Sequence, residues 1–129
     1  MFDTYVLSEN SLKNVEENGV IVGFEMKSLI PYYRGIPCSM VHLVEVLVDG
    51  VEVPQENIYF SPDNQDFFTL NELKTVTSYR WEYGEEAVIR VKQDGGLTKG
   101  THRVTLRLAV RVAYIPVPFV GQRTDIVTI

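Results

Sequence analysis

Among His, Cys, Asp and Glu, the usual ligands of a protein metal site, this 129-residue sequence offers two histidines and one cysteine besides its carboxylates. A protein metal site takes three or four His, Cys, Asp or Glu ligands, and His42, His102 and Cys38 fall in no recurring ligand spacing. No metal ligand is therefore assigned. His42 stands among valines and reads as a hydrogen-bonded core histidine, whereas His102 opens a strand and is equally well placed in solvent. Nucleophilic catalysis requires an activated Ser or Cys beside a base, but Cys38 and Ser39 sit in no nucleophile elbow and no Cys-His signature. Glu82, Glu85 and Glu86 could supply paired carboxylates for glycoside hydrolysis, yet that chemistry depends on the separation of the carboxyl groups. Close to Gly84 they read as an exposed acidic turn. No catalytic residue is assigned to this chain.

Binding is better represented than catalysis. Arg103, Arg107 and Arg111 repeat every fourth residue, which on a strand puts them on one face at intervals of about 13 to 14 Å. They are expected to form a solvated face paired with acids of a neighbouring strand; as a docking surface they would meet an acidic partner. Residues 29–37 read LIPYYRGIP, with two tyrosines, an arginine and a glycine between prolines. The prolines argue against an uninterrupted central strand, and Tyr and Arg are the types that most often anchor interfaces. Tyr32, Tyr33, Arg34, Gly35, Ile36 and Pro37 are thus the leading interface candidates. Residues 114–119, YIPVPF, are too apolar to stand free in water. Tyr114, Pro116 and Phe119 form a second candidate set.

These segments need elements to hold them. Across 101–114, Val104, Leu106, Leu108, Val110, Val112 and Tyr114 alternate with Arg103, Thr105, Arg107, Ala109, Arg111 and Ala113, the pattern of a strand with one buried face. Its length exceeds the usual strand of about 5 to 6 residues, so a bulge or bend is expected. Val20, Val22, Phe24 and Met26 make a second alternation, with Glu25 and Lys27 pointing out. Residues 41–48 are apolar on both faces except at His42 and Glu45, which suits a central strand. Asp49 and Gly50 then favour a tight hairpin, with a short return strand ending near Pro54. Further strands are expected at 58–60 and 87–92, the latter joined to the long strand by the turn-rich stretch 93–100. The helical candidate is 69–76, where Thr69 and Glu72 have capping-box spacing. The pattern predicts an all-β fold, an antiparallel β-sandwich or related barrel, with at most one short helix.

Composition agrees with a single domain over 1–129. An apolar content of 45% against 22% charged is enough to offset chain entropy without disulfides or metals. A net charge of −5 disfavours nucleic acid and anionic membrane surfaces, both of which attract clustered positive charge. Cys38, being the sole cysteine, has no intrachain partner and reads as a small buried hydrophobe, suited to a reducing cytoplasm. The first residues lack a basic start and a long apolar run, so no secretion signal is expected, and no stretch approaches transmembrane length.

The motifs YYRGIPCSM at 32–40, VDG at 48–50, RWEYG at 80–84, DGGLTKGTH at 94–102 and RVAYIP at 111–116, together with SLKN at 11–14 and GFEMK at 23–27, resemble the small beta subunit of bacterial C-glycoside deglycosidases. Cys38 departs from the aliphatic residue expected after the proline. The resemblance implies a β-sandwich subunit working in a hetero-oligomer with a larger (β/α)8 alpha subunit. That subunit would hold the catalytic base and a divalent metal, manganese being the expected one. Enzymes of this kind cleave the carbon–carbon bond between an aromatic, flavonoid-type aglycone and a sugar oxidised to its 3-oxo form, and some also act on O-glycosides. The small subunit would be non-catalytic and hold no cofactor of its own. Residues 32–37 are then expected near the mouth of the partner's active site. The competing expectation is a stand-alone carbohydrate-binding module using Tyr32, Tyr33 and Trp81 as exposed aromatics. An adhesion scaffold and an independent enzyme rank below both.

Overall fold

The computed structural model describes residues 7–8, 11–29, 36–63, 65–76, 79–82, 85–111 and 119–129. Strands β1 (Lys13–Glu17), β2 (Val20–Ser28), β3 (Ile36–Pro37), β4 (Val41–Val48), β5 (Val51–Glu52), β6 (Ile58–Ser61) and β7 (Phe68–Thr69) precede a short helix, α1 (Leu70–Leu73). After it come β8 (Arg80–Trp81), β9 (Ala87–Lys92), β10 (Thr101–Val110) and β11 (Phe119–Thr128). Short 3-10 turns cover Cys38–Met40 and Gln55–Asn57. The strands form a five-stranded sheet in the order β1-β2-β9-β6-β7, a four-stranded sheet β11-β10-β4-β5 and a two-stranded ladder β3-β8. Among the described residues every pairing is antiparallel.

Both larger sheets feed one apolar cluster. Phe24, Met26, Ile58, Phe60, Ile89 and Val91 come from the first; Val44, Val46, Val104, Leu106, Leu108 and Val110 come from the second. The alternation of β10 is what places its share there, since successive side chains on a strand point to opposite faces. Val104, Leu106, Leu108 and Val110 are all fully buried. Burying such a side chain contributes roughly 1.5–3 kcal/mol relative to leaving it in water. The protein is therefore an all-β sandwich. A bulge is present in this ladder, but on β4 rather than on the long strand: opposite Ala109 and Val110 the successive partners on β4 are Leu43 and Val41, so His42 is the extra residue. β10 ends at Val110, and Val112 and Tyr114 lie outside the described residues.

Local chemistry sets the turns. Asp49 and Gly50 have φ of 51° and 83°, the left-handed pair that a two-residue hairpin between β4 and β5 requires. Thr69 and Glu72 form the full capping box: the Glu72 amide donates to Thr69 Oγ1 (3.2 Å), and the Thr69 amide donates to Glu72 Oε1 (2.8 Å). The helix is only one turn long, and the Thr75 and Val76 amides then reach back three residues, to the Glu72 and Leu73 carbonyls. No helix among the described residues is long and apolar enough to cross a membrane.

Three expectations are corrected. Val20 is 62% exposed, because it follows the Asn18–Gly19 turn at the tip of the β1–β2 hairpin, and burial in β2 begins only beyond Val22. Glu25 does lie on the face opposite Phe24 and Met26, but it is covered: Lys13 and Arg90 flank it at 3.6 and 3.1 Å. His42 is an exposed bulge residue rather than a core one, since the register skip carries it out of the alternation.

Candidate functional site

Of the leading candidates, Tyr32, Tyr33, Arg34 and Gly35 lie outside the described residues, and so do Tyr114 and Pro116 of the second set. Ile36 and Pro37 form β3, which pairs with β8 through Ile36↔Trp81 and Pro37↔Arg80. A ladder this short tolerates a proline, which lacks only a donor. Ile36 is buried against the core, and Trp81 is wholly buried. The Trp81 indole N–H donates to the Glu85 carbonyl (2.9 Å), and its ring meets Phe60 edge-to-face at 5.3 Å. Just beyond, the Cys38 amide donates to Tyr79 O and the Ser39 amide to Val76 O, each at 2.9 Å. The C-terminal foot of the 32–37 segment is thus fastened by aromatic packing and backbone bonds. Trp81 is accordingly an anchor, not an exposed sugar platform, which removes one of the three aromatics from the carbohydrate-module reading.

The second segment springs from the adjacent position. Val110 pairs with Phe119 across the β10–β11 ladder, so 112–118 connects the two strands at that end. The Arg111 amide donates to Met40 O (2.8 Å), and Arg111 Nε donates to His42 Nδ1 (3.0 Å). Met40 closes the 3-10 turn that follows Pro37, so one hydrogen bond ties together the roots of both interface candidates.

The arginine row is largely committed within the sheet. Arg107 Nη1 pairs with Glu45 of β4 (3.0 Å), while its Nε donates to Gln122 of β11 (2.9 Å). This is the neighbouring-strand acid that the row was expected to meet. Arg111 bonds His42 instead of an acid, and Arg103 is exposed, with its backbone amide on Asp49 Oδ1 (2.9 Å).

His102 is held on both ring nitrogens. Nδ1 lies 2.9 Å from Asp49 Oδ2 and Nε2 lies 2.7 Å from the Thr98 carbonyl oxygen. A carboxylate and a carbonyl both accept, so the two bonds together are made by the imidazolium. The Asp49 hydrogen bond, then the Thr98 carbonyl, raise the His102 pKa above its ordinary value. Asp49 is held low, first by the Arg103 amide and then by His102. Cys38 is wholly buried, and desolvation, with Asp63 adding to it, pushes its thiol up to about 11. It is a packing residue and a poor nucleophile at neutral pH. Among the described residues, no three His, Cys, Asp or Glu side chains come together as a metal-binding group.

One cluster was not anticipated from the sequence. On the outer face of the five-stranded sheet, Arg90 bonds Glu25 through Nε and Nη2 and lies 4.2 Å from the centroid of the Phe67 ring. A cavity of about 290 Å³ opens beside it, lined by Tyr59, Phe67, Arg90, Lys92, Glu17 and the backbone at Gly23 among others. A Cβ at Gly23 would collide with the Val91 carbonyl oxygen, so the close approach of β2 to β9 needs glycine. The register brings Glu25 opposite Arg90 and Arg90 opposite Tyr59; only the strand pairing, not any local spacing, reveals it.

The family model of the C-glycoside deglycosidase beta subunit matches residues 2–114. A C-glycoside deglycosidase beta subunit from Eubacterium cellulosolvens is 29% identical over 121 residues, covering 93% of this chain and 81% of the relative. A protein of the same description from Microbacterium trichothecenolyticum is 29% identical over 86 residues, 67% of this chain and 64% of the relative. A 3'-dehydrocarminate deglycosidase beta subunit from a Microbacterium species is 26% identical over 119 residues, 91% and 83% of the two chains. The matched region takes in the tied roots of both apolar segments, and the chain belongs to the C-glycoside deglycosidase beta subunit family.

Proposed function

We propose that this chain is the non-catalytic beta subunit, a single sandwich domain over 1–129, of a cytoplasmic C-glycoside deglycosidase. Its partner is a larger (β/α)8 alpha subunit that holds a divalent metal, manganese, together with the catalytic base. The family match over 2–114 is the observation that carries this reading. The complex would cleave the C–C glycosidic bond of 3-oxo-C-glucosides of aromatic, flavonoid-type aglycones.

That reaction needs a base to remove the C2 hydrogen that the 3-oxo group acidifies, and a cation to stabilise the negative charge that develops on oxygen. Both are assigned to the partner, as membership of the beta-subunit family suggests. The contribution of this chain is positional. The β3–β8 ladder and the Met40–Arg111 bond support this reading by linking the chain on either side of the two segments, at Pro37–Met40 and at Val110–Arg111. From there the segments would pack against the barrel, hold its loops and exclude water.

Co-expression with the larger subunit, gel filtration and metal analysis test the reading. The two chains should co-elute with metal on the larger one. Release of aglycone by the purified small chain alone, or metal bound to it, would defeat the proposal. Arg34→Ala should weaken the complex, and unchanged co-elution would remove residues 32–37 from the interface.

A further inference from the structure

The four-stranded sheet ends in β11, ten residues long and in unbroken register with β10. The direction of its hydrogen bonds follows from one pair. Gly100 and Ile129 exchange both backbone bonds, at 3.3 and 2.9 Å, so in an antiparallel ladder the odd-numbered residues of β11 bond to β10. The even-numbered ones, Val120, Gln122, Thr124, Ile126 and Thr128, turn their amides and carbonyls to the sheet edge. The Ile126 amide bears this out by donating to its neighbour's carboxylate, Asp125 Oδ1, at 3.1 Å. Among the described residues no strand pairs with that edge.

A long regular edge invites another strand, and proteins restrict the choice with charges on the strand. Here Arg123 and Asp125 lie on the core-facing side, opposite Leu106 and Val104. A foreign strand would have to match that pair. The strand matches itself: paired antiparallel to a second copy about a two-fold axis at Thr124, Arg123 of each copy stands across from Asp125 of the other. These are non-hydrogen-bonded positions, where facing side chains come closest. The even-numbered residues of the two copies meet each other, so the outward amides and carbonyls find partners. On the outer face Thr124 meets Thr124, while Ile126 and Val120, 64% and 61% exposed, come to lie against Gln122 and Thr128. Thr105–Thr124 (2.7 Å) and Arg107–Gln122 (2.9 Å) bonds already hold that face in order.

We propose that β11 is a homodimerisation edge, and that a second copy of this chain pairs with it antiparallel about Thr124 to join the two four-stranded sheets into one. The symmetry is isologous and closes after two copies.

Sedimentation equilibrium of the full chain, alone and with its partner subunit, over a concentration series at low salt, tests this. The wild type should form a dimer. Asp125→Arg sets arginine against arginine and should raise the dimer dissociation constant at least about tenfold. The double variant Arg123→Asp with Asp125→Arg is self-complementary again and should restore the dimer to within about threefold. Thr124→Pro, tolerated on an edge strand, should leave a folded monomer by circular dichroism. A wild-type chain that stays monomeric throughout overturns the proposal. So does a single reversal without effect, or a Thr124→Pro variant that loses only its partner subunit.

Discussion

His102 shows how two acceptors fix a protonation state. With Asp49 on one nitrogen and a carbonyl oxygen on the other, the charged ring joins the 98 turn, the start of β10 and the β4–β5 hairpin. Its folded pKa is raised, so the stabilisation is fully present below the unfolded value of about 6.5 and is lost as pH rises through the folded value. The melting temperature of the wild type should therefore fall on alkaline titration through that window relative to His102→Asn. Parallel melting curves for the two proteins would show that the clasp carries no charge. Asp49 works in the opposite sense: its pKa is lowered, so its contribution is present above the unfolded value and goes as pH drops through the folded one. Residue-level legibility was uneven. Cys38 read correctly as a packing thiol because an isolated cysteine in an apolar context has few other fates. His42 misled because its valine neighbours imply a core face unless the bulge opposite Ala109–Val110 is known.

At the scale of elements, β10, β9 and the Asp49–Gly50 hairpin were legible because each is written in local periodicity or turn chemistry. The β3–β8 ladder was not, since two residues carry no period and the pairing joins segments far apart in sequence. The row Lys13–Glu25–Arg90 was hidden for the same reason; it joins β1, β2 and β9 through facing side chains. Glu25 is 10% exposed there while Arg90 retains 30%. Arg90→Ala should leave a nearly buried carboxylate with the more distant Lys13, at 3.6 Å, and cost about 1–3 kcal/mol, the lower end being expected because Lys13 remains and solvent reaches the arginine. Replacing both partners, Glu25→Leu with Arg90→Leu, should recover most of that loss, because no charge is then left desolvated. Urea denaturation of the two variants checks it: a double variant less stable than Arg90→Ala would contradict this account. At the α1 cap, Thr69→Ala removes one half of the reciprocal pair and should cost about 1 kcal/mol by the same measurement.

For the whole molecule, the two candidate interface segments are more closely related than their separation of some eighty residues suggests. Reading the sequence identified each by its prolines and aromatics, but not that Met40 and Arg111 bond their roots together. That link is tertiary: it depends on β4 and β10 lying side by side with the 3-10 turn of Cys38–Met40 at their end. If residues 32–37 and 114–119 grip the same partner from one base, loosening one should alter what the other contributes. Arg34→Ala and Tyr114→Ala should each weaken association with the alpha subunit, and their effects should not sum. An interaction energy of about 0.5–3 kcal/mol is expected for residues coupled through shared structure, against additivity within about 0.3–0.5 kcal/mol for independent sites. Isothermal titration of the four proteins in the cycle gives the number. Strict additivity would mean that the segments dock separately and that the shared root serves folding alone. A coupling that disappears in Arg111→Ala, which deletes the bond to His42 but keeps the backbone bond to Met40, would locate the communication in that side chain.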